Sequence, residues 1–252
     1  MSLRNISQSG FRNTLTFAVL IVAASTLAAQ TPAELPDSPG ASIQPRVAAV
    51  PTGPTVVMDT TAGRLTCKLF DKEAPIATAN FIQLAEGTKD WVDPNNGKKV
   101  HGQHFYDGTT FHRVIPGFMI QGGDRKGDGS GDAGYYFENE VSPNLTFDVA
   151  GRITMANAGP NTNGTQFFVT ELPQLELDGK YTIFGQCDAH SVDLVTTITH
   201  VDRNSNDKPT TDVVLKKVTI VRDGQPMPPE PVIPVAAAAT VPAVSAMPPT
   251  KK

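Results

Sequence analysis

Short apolar runs separated by turn-forming residues dominate the middle of this 252-residue chain. Runs of this length, rich in Val, Ile, Thr and Phe and bounded by Gly, Pro or Asp, are typical of β-strands. The strands that this pattern predicts are TVVMDT (55–60), GRLTCKLF (63–70), TTFHRVI (109–115), FMIQGG (118–123), GRITMANA (151–158), TQFFVTE (165–171), YTIFGQ (181–186) and VVLKKVTIVR (213–222).

Two segments have helical periodicity instead, APIATANFIQLAEG (74–87) and DAHSVDLVTTITHV (188–201). In the first, Pro75 suits the opening turn and Gly87 suits the C-terminal cap. Apolar residues recur on one face of each segment: Ala77, Phe81 and Leu84 in the first, and Val192, Val195 and Ile198 in the second. Many short strands with two helices predict a mainly β fold, a closed barrel capped by the helices.

The two ends of the chain lack this pattern. Residues 1–29 combine two arginines, an apolar run and small residues near a cleavage point, which is typical of a secretory signal peptide. An uncleaved membrane anchor is the alternative, although the run is shorter than a spanning helix needs. Residues 30–54 and 224–252, rich in Pro and Ala, predict an extended linker and a disordered tail. We therefore expect one domain over 55–223, periplasmic or secreted and free of the membrane after cleavage.

Composition excludes several classes of function. The net charge of −4 provides no basic surface for nucleic acid. No phosphate-binding loop is present, and the two nearby histidines, His101 and His104, lack the further ligands of a metal site, so neither a metal nor a cofactor is expected. Cys67 and Cys187 lie in strand-like runs; an oxidising compartment would allow a disulfide, and two buried free thiols are the alternative.

Three segments carry the candidate chemistry: FHRVIPGFMIQGGD (111–124), MANAGPNTNGTQFFVT (155–170) and LDGKYTIFG (177–185). Arg113 stands among apolar residues, yet a guanidinium keeps its proton and is costly to bury without a partner. It therefore either faces solvent or lines a pocket. Apolar side chains with a few amides are typical of a ligand pocket, although an ordinary barrel core would look similar.

These three segments resemble the signature of the cyclophilins, the peptidyl-prolyl cis-trans isomerases, and the similarity runs in order over nearly all of 55–223. The resemblance implies an eight-stranded antiparallel barrel with two capping helices, an active site on its outer surface, a monomer and proline-containing polypeptides as substrates. Arg113 matches the catalytic arginine, which would donate a hydrogen bond to the proline nitrogen in the transition state without any cofactor. The matched proline pocket consists of Phe118, Met119, Phe168 and Leu177. The matched residues that contact the substrate backbone or rim the pocket are His112, Gln121, Ala156, Asn157, Gln166 and Tyr181.

Two positions depart from the family pattern. Glu176 stands where many relatives have a tryptophan that matters for binding cyclosporin, so we expect weak inhibition. Tyr181 stands where many relatives have a histidine, and its hydroxyl can still donate a hydrogen bond to a substrate carbonyl. The connection 92–104 also looks longer than in small relatives. Beside a folding catalyst of the cell envelope, two alternatives stay open: a non-catalytic module that binds proline-containing segments, and a wall-associated protein with proline-rich spacers.

Overall fold

The computed structural model describes residues 48–231. The predicted signal peptide (1–29) and most of the predicted linker and tail lie outside this range. Within it, no helix has both the length and the apolar character needed to cross a bilayer. The domain limits proposed from the sequence stay a prediction.

The described chain is mainly β with two α-helices, as the pattern predicts. In chain order the elements are β1 (Thr55–Thr60), β2 (Arg64–Leu69), α1 (Pro75–Glu86), β3 (Trp91–Val92), β4 (Lys99–Val100), β5 (Arg113–Ile115), β6 (Met119–Gly122), β7 (Arg152–Met155), β8 (Phe167–Thr170), a 3-10 turn (Leu175–Leu177), β9 (Ile183–Cys187), α2 (Ala189–Thr199) and β10 (Leu215–Val221). Eight of the strands form one antiparallel sheet in the order β10-β1-β2-β9-β7-β8-β6-β5, and β3 and β4 form a separate hairpin.

The ladder of the large sheet does not close, so the predicted closed barrel is not confirmed. The two edge strands, β5 and β10, are not paired with each other along their lengths. Thr110 alone bridges both sides, because it pairs with Asp124 on one side and Val214 on the other. The segment before β5, which contains Thr110, therefore lies between the two edge strands. Because Thr110 forms isolated bridges and no continuous ladder, β5 is shorter than the predicted run 109–115.

Both helices begin and end much as predicted, but their caps differ. Helix α1 has Pro75 in its first turn and ends at Gly87, whose φ of 70° lies in the left-handed region that glycine tolerates. Its free N-terminal amides are satisfied by Glu140, which accepts from Ile76 N and Ala77 N at 2.8 Å each. Helix α2 has its own cap, Asp188, which accepts from Ser191 N at 2.8 Å.

The residues that flank the long connection 92–104 belong to the core. Trp91 is buried just before it, and Phe105 and Tyr106 are buried just after it. The rings of Trp91 and Phe105 meet edge to face with centroids 4.9 Å apart, and Tyr106 stacks on Phe81 of α1 at 4.5 Å. The hairpin β3–β4 between them is therefore anchored at both ends by aromatic packing.

The first residues of the predicted tail lie against the sheet. Arg64, almost fully buried, donates to Pro228 O at 2.8 Å and to Pro229 O at 2.6 Å. It also forms a two-point ion pair with Asp59, at 2.7 and 3.2 Å. This segment is fixed through two backbone carbonyls and the Glu230 carboxylate, which lies 3.3 Å from Arg64 Nη1, rather than by apolar burial. Its composition therefore does not indicate the contact.

A disulfide joins Cys67 and Cys187, which settles the alternative left open by the sequence. The two residues are direct partners in the β2–β9 ladder. Both are buried, on the side of the sheet that belongs to the main core.

Candidate active site

The register of three strands brings the candidate side chains into one row. Arg113 of β5 is opposite Gln121 of β6, and Gln121 is opposite Phe168 of β8. Directly opposed residues in antiparallel strands project to the same face of a sheet. The guanidinium, the amide and the aromatic ring therefore share one surface although they are up to 55 positions apart in sequence.

A small cavity of about 110 Å³ opens on this surface. Apolar cavities of about 150 Å³ accept benzene, so this one suits a saturated five-membered ring. Its lining includes eight residues, all from the three motif segments: Arg113, Phe118, Met119, Gln121, Ala156, Asn157, Phe168 and Tyr181.

The apolar part of the cavity is held from behind by a separate cluster. Met119 and Phe168 are buried, and Phe118 is half-buried. The ring of Phe168 lies nearly parallel to that of Phe147 at 6.3 Å and edge-on to Tyr181 at 5.5 Å. Rings packed on both sides have few alternative rotamers, so the apolar wall is rigid.

The polar wall is a chain of amides that ends at the guanidinium. Gln121 Oε1 accepts from Arg113 Nη1 at 3.4 Å, and Gln121 Nε2 donates to Gln166 Oε1 at 3.0 Å. Gln166 Nε2 in turn donates to two backbone carbonyls, Gly129 O and Gly131 O, each at 3.0 Å. This chain fixes the Gln121 amide so that its oxygen, not its nitrogen, faces Arg113.

Arg113 is half-buried and has no acidic partner. None of the ion pairs formed within residues 48–231 involves it. The long bond to Gln121 leaves most of its donors free. A guanidinium with unused donors thus lines a cavity that has one apolar wall, which is the second of the two placements that its position in the sequence allows.

Two of the predicted residues, Leu177 and His112, do not line the cavity, and Leu177 packs against the cluster behind it. Gln166 lies at the rim, where it lines a neighbouring depression and accepts from Gln121. His112 is buried, and neither ring nitrogen has a hydrogen-bond partner among the described residues. Burial lowers the pKa of His112, with the Asp124 carboxylate opposing that shift and Lys208 adding to it. The imidazole is therefore neutral near pH 7 and does not face the cavity.

The neighbouring depression has a volume of about 310 Å³ and shares Gln121, Ala156 and Asn157 with the cavity. Its far wall is the glycine-rich loop 129–132 together with the exposed Tyr136, whose hydroxyl donates to Asp132 at 3.2 Å. The sequence indicates only a solvated loop here. The density of glycine was the available signal, since it lets backbone approach a ligand closely.

The departures from the family pattern lie at the rim or away from it. Glu176 is exposed in the 3-10 turn, and its carbonyl accepts from Lys180 Nζ at 2.8 Å. Trp91 is buried in the main core, with Arg125 over its ring at 5.2 Å, and does not line the cavity. The tryptophan missing at position 176 is therefore not replaced by Trp91. Within residues 48–231, no group of three or more His, Cys, Asp or Glu side chains is placed to hold a metal ion.

Comparison with known proteins identifies the family. Residues 55–220 match the family described as cyclophilin-type peptidyl-prolyl cis-trans isomerase/CLD. The chain belongs to the cyclophilins. This cyclophilin is 46% identical over 167 residues to peptidyl-prolyl cis-trans isomerase A of Mycobacterium tuberculosis, covering 66% of this chain and 91% of the relative. It is 43% identical over 167 residues to isomerase B of Streptomyces anulatus, covering 65% and 94% of the two chains.

Solved structures agree with this assignment. A cyclophilin-type isomerase of Cryptosporidium parvum has a TM-score of 0.57 and 33% identity, over 67% of this chain and 98% of that one. The same Cryptosporidium protein, crystallised in the presence of the dipeptide Ala-Pro, has a TM-score of 0.56 and 33% identity, over 66% of this chain and 98% of that one. The cyclophilin fold and the enzyme class, peptidyl-prolyl cis-trans isomerase, are thereby established for this chain.

Proposed function

We propose that this cyclophilin accelerates rotation about X-Pro bonds of polypeptides that fold in the cell envelope, with Arg113 as the catalytic donor. The observation that supports it is the half-buried guanidinium without an acidic partner at the edge of a ring-sized apolar cavity. A proline ring would occupy the cavity, and the neighbouring depression would receive adjacent residues of the same polypeptide.

The reaction needs a hydrogen-bond donor more than it needs a general acid or a general base. Rotation must overcome amide resonance, a barrier of about 18–20 kcal/mol. In the twisted transition state the proline nitrogen loses conjugation and gains a lone pair that can accept a hydrogen bond. Arg113 would donate to that nitrogen and so bind the twisted state better than either planar state, which is catalysis by differential binding.

The apolar wall and the amide chain would supply the rest of the acceleration. A gain of five decades requires about 7 kcal/mol, whereas one charged hydrogen bond contributes about 1.5–3 kcal/mol. The remainder must come from holding the ring still while the preceding residue turns. Phe118, Met119 and Phe168 would hold the ring, and Gln121 would keep Arg113 aimed along the cavity edge.

The test is isomerisation of a short proline peptide by the full chain and by Arg113→Ala, with Arg222→Ala as the matched control. Arg222 is exposed, pairs with Glu86 and does not line the cavity. Loss of one charged hydrogen bond predicts a fall in kcat/KM of about 10- to 150-fold for Arg113→Ala, and no change for the control. Equal activity in all three proteins would refute the role of Arg113; peptide binding without turnover in the intact chain would favour the non-catalytic module.

The envelope location is part of the proposal and rests on two observations. The first is the signal-like segment 1–29, which lies outside the described residues. The second is the Cys67–Cys187 disulfide, a bond that persists in oxidising compartments. Mass spectrometry of the protein from fractionated cells should find a chain that begins near Gln30 in the envelope or medium. An intact residue 1–29 segment in the membrane fraction would instead support an anchor.

A further inference from the structure

The turn between β5 and β6 carries the residues of the site but makes few contacts of its own. Pro116 and Gly117 form it, and Phe118 N donates to Ile115 O at 3.1 Å across it. Gly117 is exposed, has a φ of 72°, and nothing lies within 4 Å of where its side chain would begin. On these contacts alone, the turn and the adjacent Phe118 would move freely.

Two buried side chains from the segment after β8 hold this turn. Glu171 Oε2 accepts from Gly117 N at 2.6 Å, and Gln174 Nε2 donates to Gly117 O at 2.8 Å. Glu171 N also donates to Phe118 O at 2.8 Å. Glu171 and Gln174 are only 5% and 8% exposed. Both polar groups of the Gly117 backbone are thus held by side chains that the protein has shielded from water.

The carboxylate of Glu171 has little other compensation. No arginine or lysine among the described residues forms an ion pair with it, and its nearest basic group is His200 Nδ1 at 3.8 Å. A buried carboxylate is costly unless it accepts hydrogen bonds. Its short bond to Gly117 N is therefore the main contact that offsets the cost of burying it.

We propose that Glu171 is a positioning residue for the proline pocket: it fixes the Pro116–Gly117 turn and, through it, the aromatic wall formed by Phe118. The inference rests on the proposed function of the cavity as the proline site. Glu171 itself does not line the cavity.

This role predicts a particular kinetic signature. Phe118 would contact the proline ring in the planar and in the twisted states alike, so loosening it removes binding energy from both. Such uniform loss raises KM and leaves kcat nearly unchanged. Arg113→Ala, by contrast, should lower kcat because its hydrogen bond forms in the transition state.

The experiment compares Glu171→Met with Glu171→Gln in the full chain. Methionine is close to glutamate in size but cannot accept the Gly117 N–H bond effectively, whereas the glutamine oxygen can. The matched control is Glu140→Met, which removes two backbone hydrogen bonds from the start of α1 at a residue that does not line the cavity. The readouts are kcat, KM, the Kd of an Ala-Pro-containing peptide, and hydrogen exchange at the Gly117 amide.

We expect Glu171→Met to raise KM and peptide Kd by about tenfold, which is the scale of one lost charged hydrogen bond. The kcat should stay within about twofold of that of the unmodified chain. Exchange at Gly117 should accelerate by about tenfold or more, and Glu171→Gln should restore all of these values. Glu140→Met should alter none of them. Unchanged Gly117 exchange in Glu171→Met, or the same KM rise in Glu140→Met, would overturn the proposal.

The failure of the proposed function would be recognised separately. If the intact chain showed no turnover, the isomerase role would fall, while Gly117 exchange and peptide Kd would still decide whether Glu171 positions the pocket. If turnover were normal but Glu171→Gln failed to restore peptide binding, the positioning role would fall and the isomerase would stand.

Discussion

Breaking the Cys67–Cys187 disulfide should remove a large part of the stability of this cyclophilin while leaving its catalysis intact. The bond joins directly opposed residues of β2 and β9 and encloses a loop with a sequence separation of 120. Closing a loop of that length lowers the entropy of the unfolded chain by an amount equivalent to about 5 kcal/mol at 25 °C. For a domain of this size, each kcal/mol corresponds to about 2–4 °C in Tm, so the expected fall is about 10–20 °C.

Isomerase activity should be insensitive to reduction of the disulfide because the bond is remote from the cavity. In the ladder, β7 and β8 separate β9 from β6 and β5, and neither cysteine lines the cavity. The assay is urea and thermal unfolding of the full chain, oxidised and reduced, with isomerisation measured at 25 °C. Cys67→Ala with Cys187→Ala provides the control, since reductant should then have no effect.

Two results would refute this reasoning. A loss below about 1 kcal/mol on reduction would show that the unfolded chain is not constrained as the loop length predicts. A fall in kcat/KM of a folded, reduced protein would show that β2 and β9 determine the geometry of the site after all.

Three further predictions concern residues outside the proposed chemistry. Burial lowers the pKa of His112 below the ordinary value of about 6.5. On acidification, the unfolded chain therefore binds a proton at this residue at a higher pH than the folded chain does. The stability contributed by neutral His112 is present above about pH 6.5 and is lost as the pH falls. Urea unfolding between pH 5 and 8 should show a shallower decline for His112→Asn. A chain ending at residue 223 should be about 1–3 kcal/mol less stable than one ending at residue 231, because buried Arg64 loses two carbonyl acceptors and the Glu230 carboxylate; equal urea midpoints would contradict this. Cyclosporin should inhibit weakly, and Glu176→Trp should tighten its binding, as titration of peptide turnover would reveal; strong inhibition of the unmodified chain would contradict it.

Local pattern was sufficient for the two helices and for the eight strands of the large sheet, but it did not indicate the hairpin β3–β4. Strand β1 spans the residues that alternation and turn signals predict, and α1 begins at Pro75 and ends before Gly87 as its terminal residues indicate. These features depend on interactions between near neighbours along the chain, which periodicity records. The motif around Arg113 was long enough to identify the family, and with it most of the cavity lining.

Contacts between distant segments were decided only by the tertiary structure. Arg113, Gln121 and Phe168 form a row because of strand register, and register depends on which strands pair. The same applies to the incomplete ladder between β5 and β10, where one residue, Thr110, bridges both sides. Strand count and alternation contain no information about which edges meet.

The side chains that support a distant turn or helix end were the hardest to foresee. Glu171 reaches a glycine 54 positions earlier, and Glu140 caps a helix more than 60 positions earlier. In the sequence each is one acidic residue among many, because a carboxylate signals nothing about its partner until the fold brings a free N–H to it. The sequence by itself determined the strands, the helices and the chemical type of the site, whereas the pairing of distant segments determined its shape and its supports.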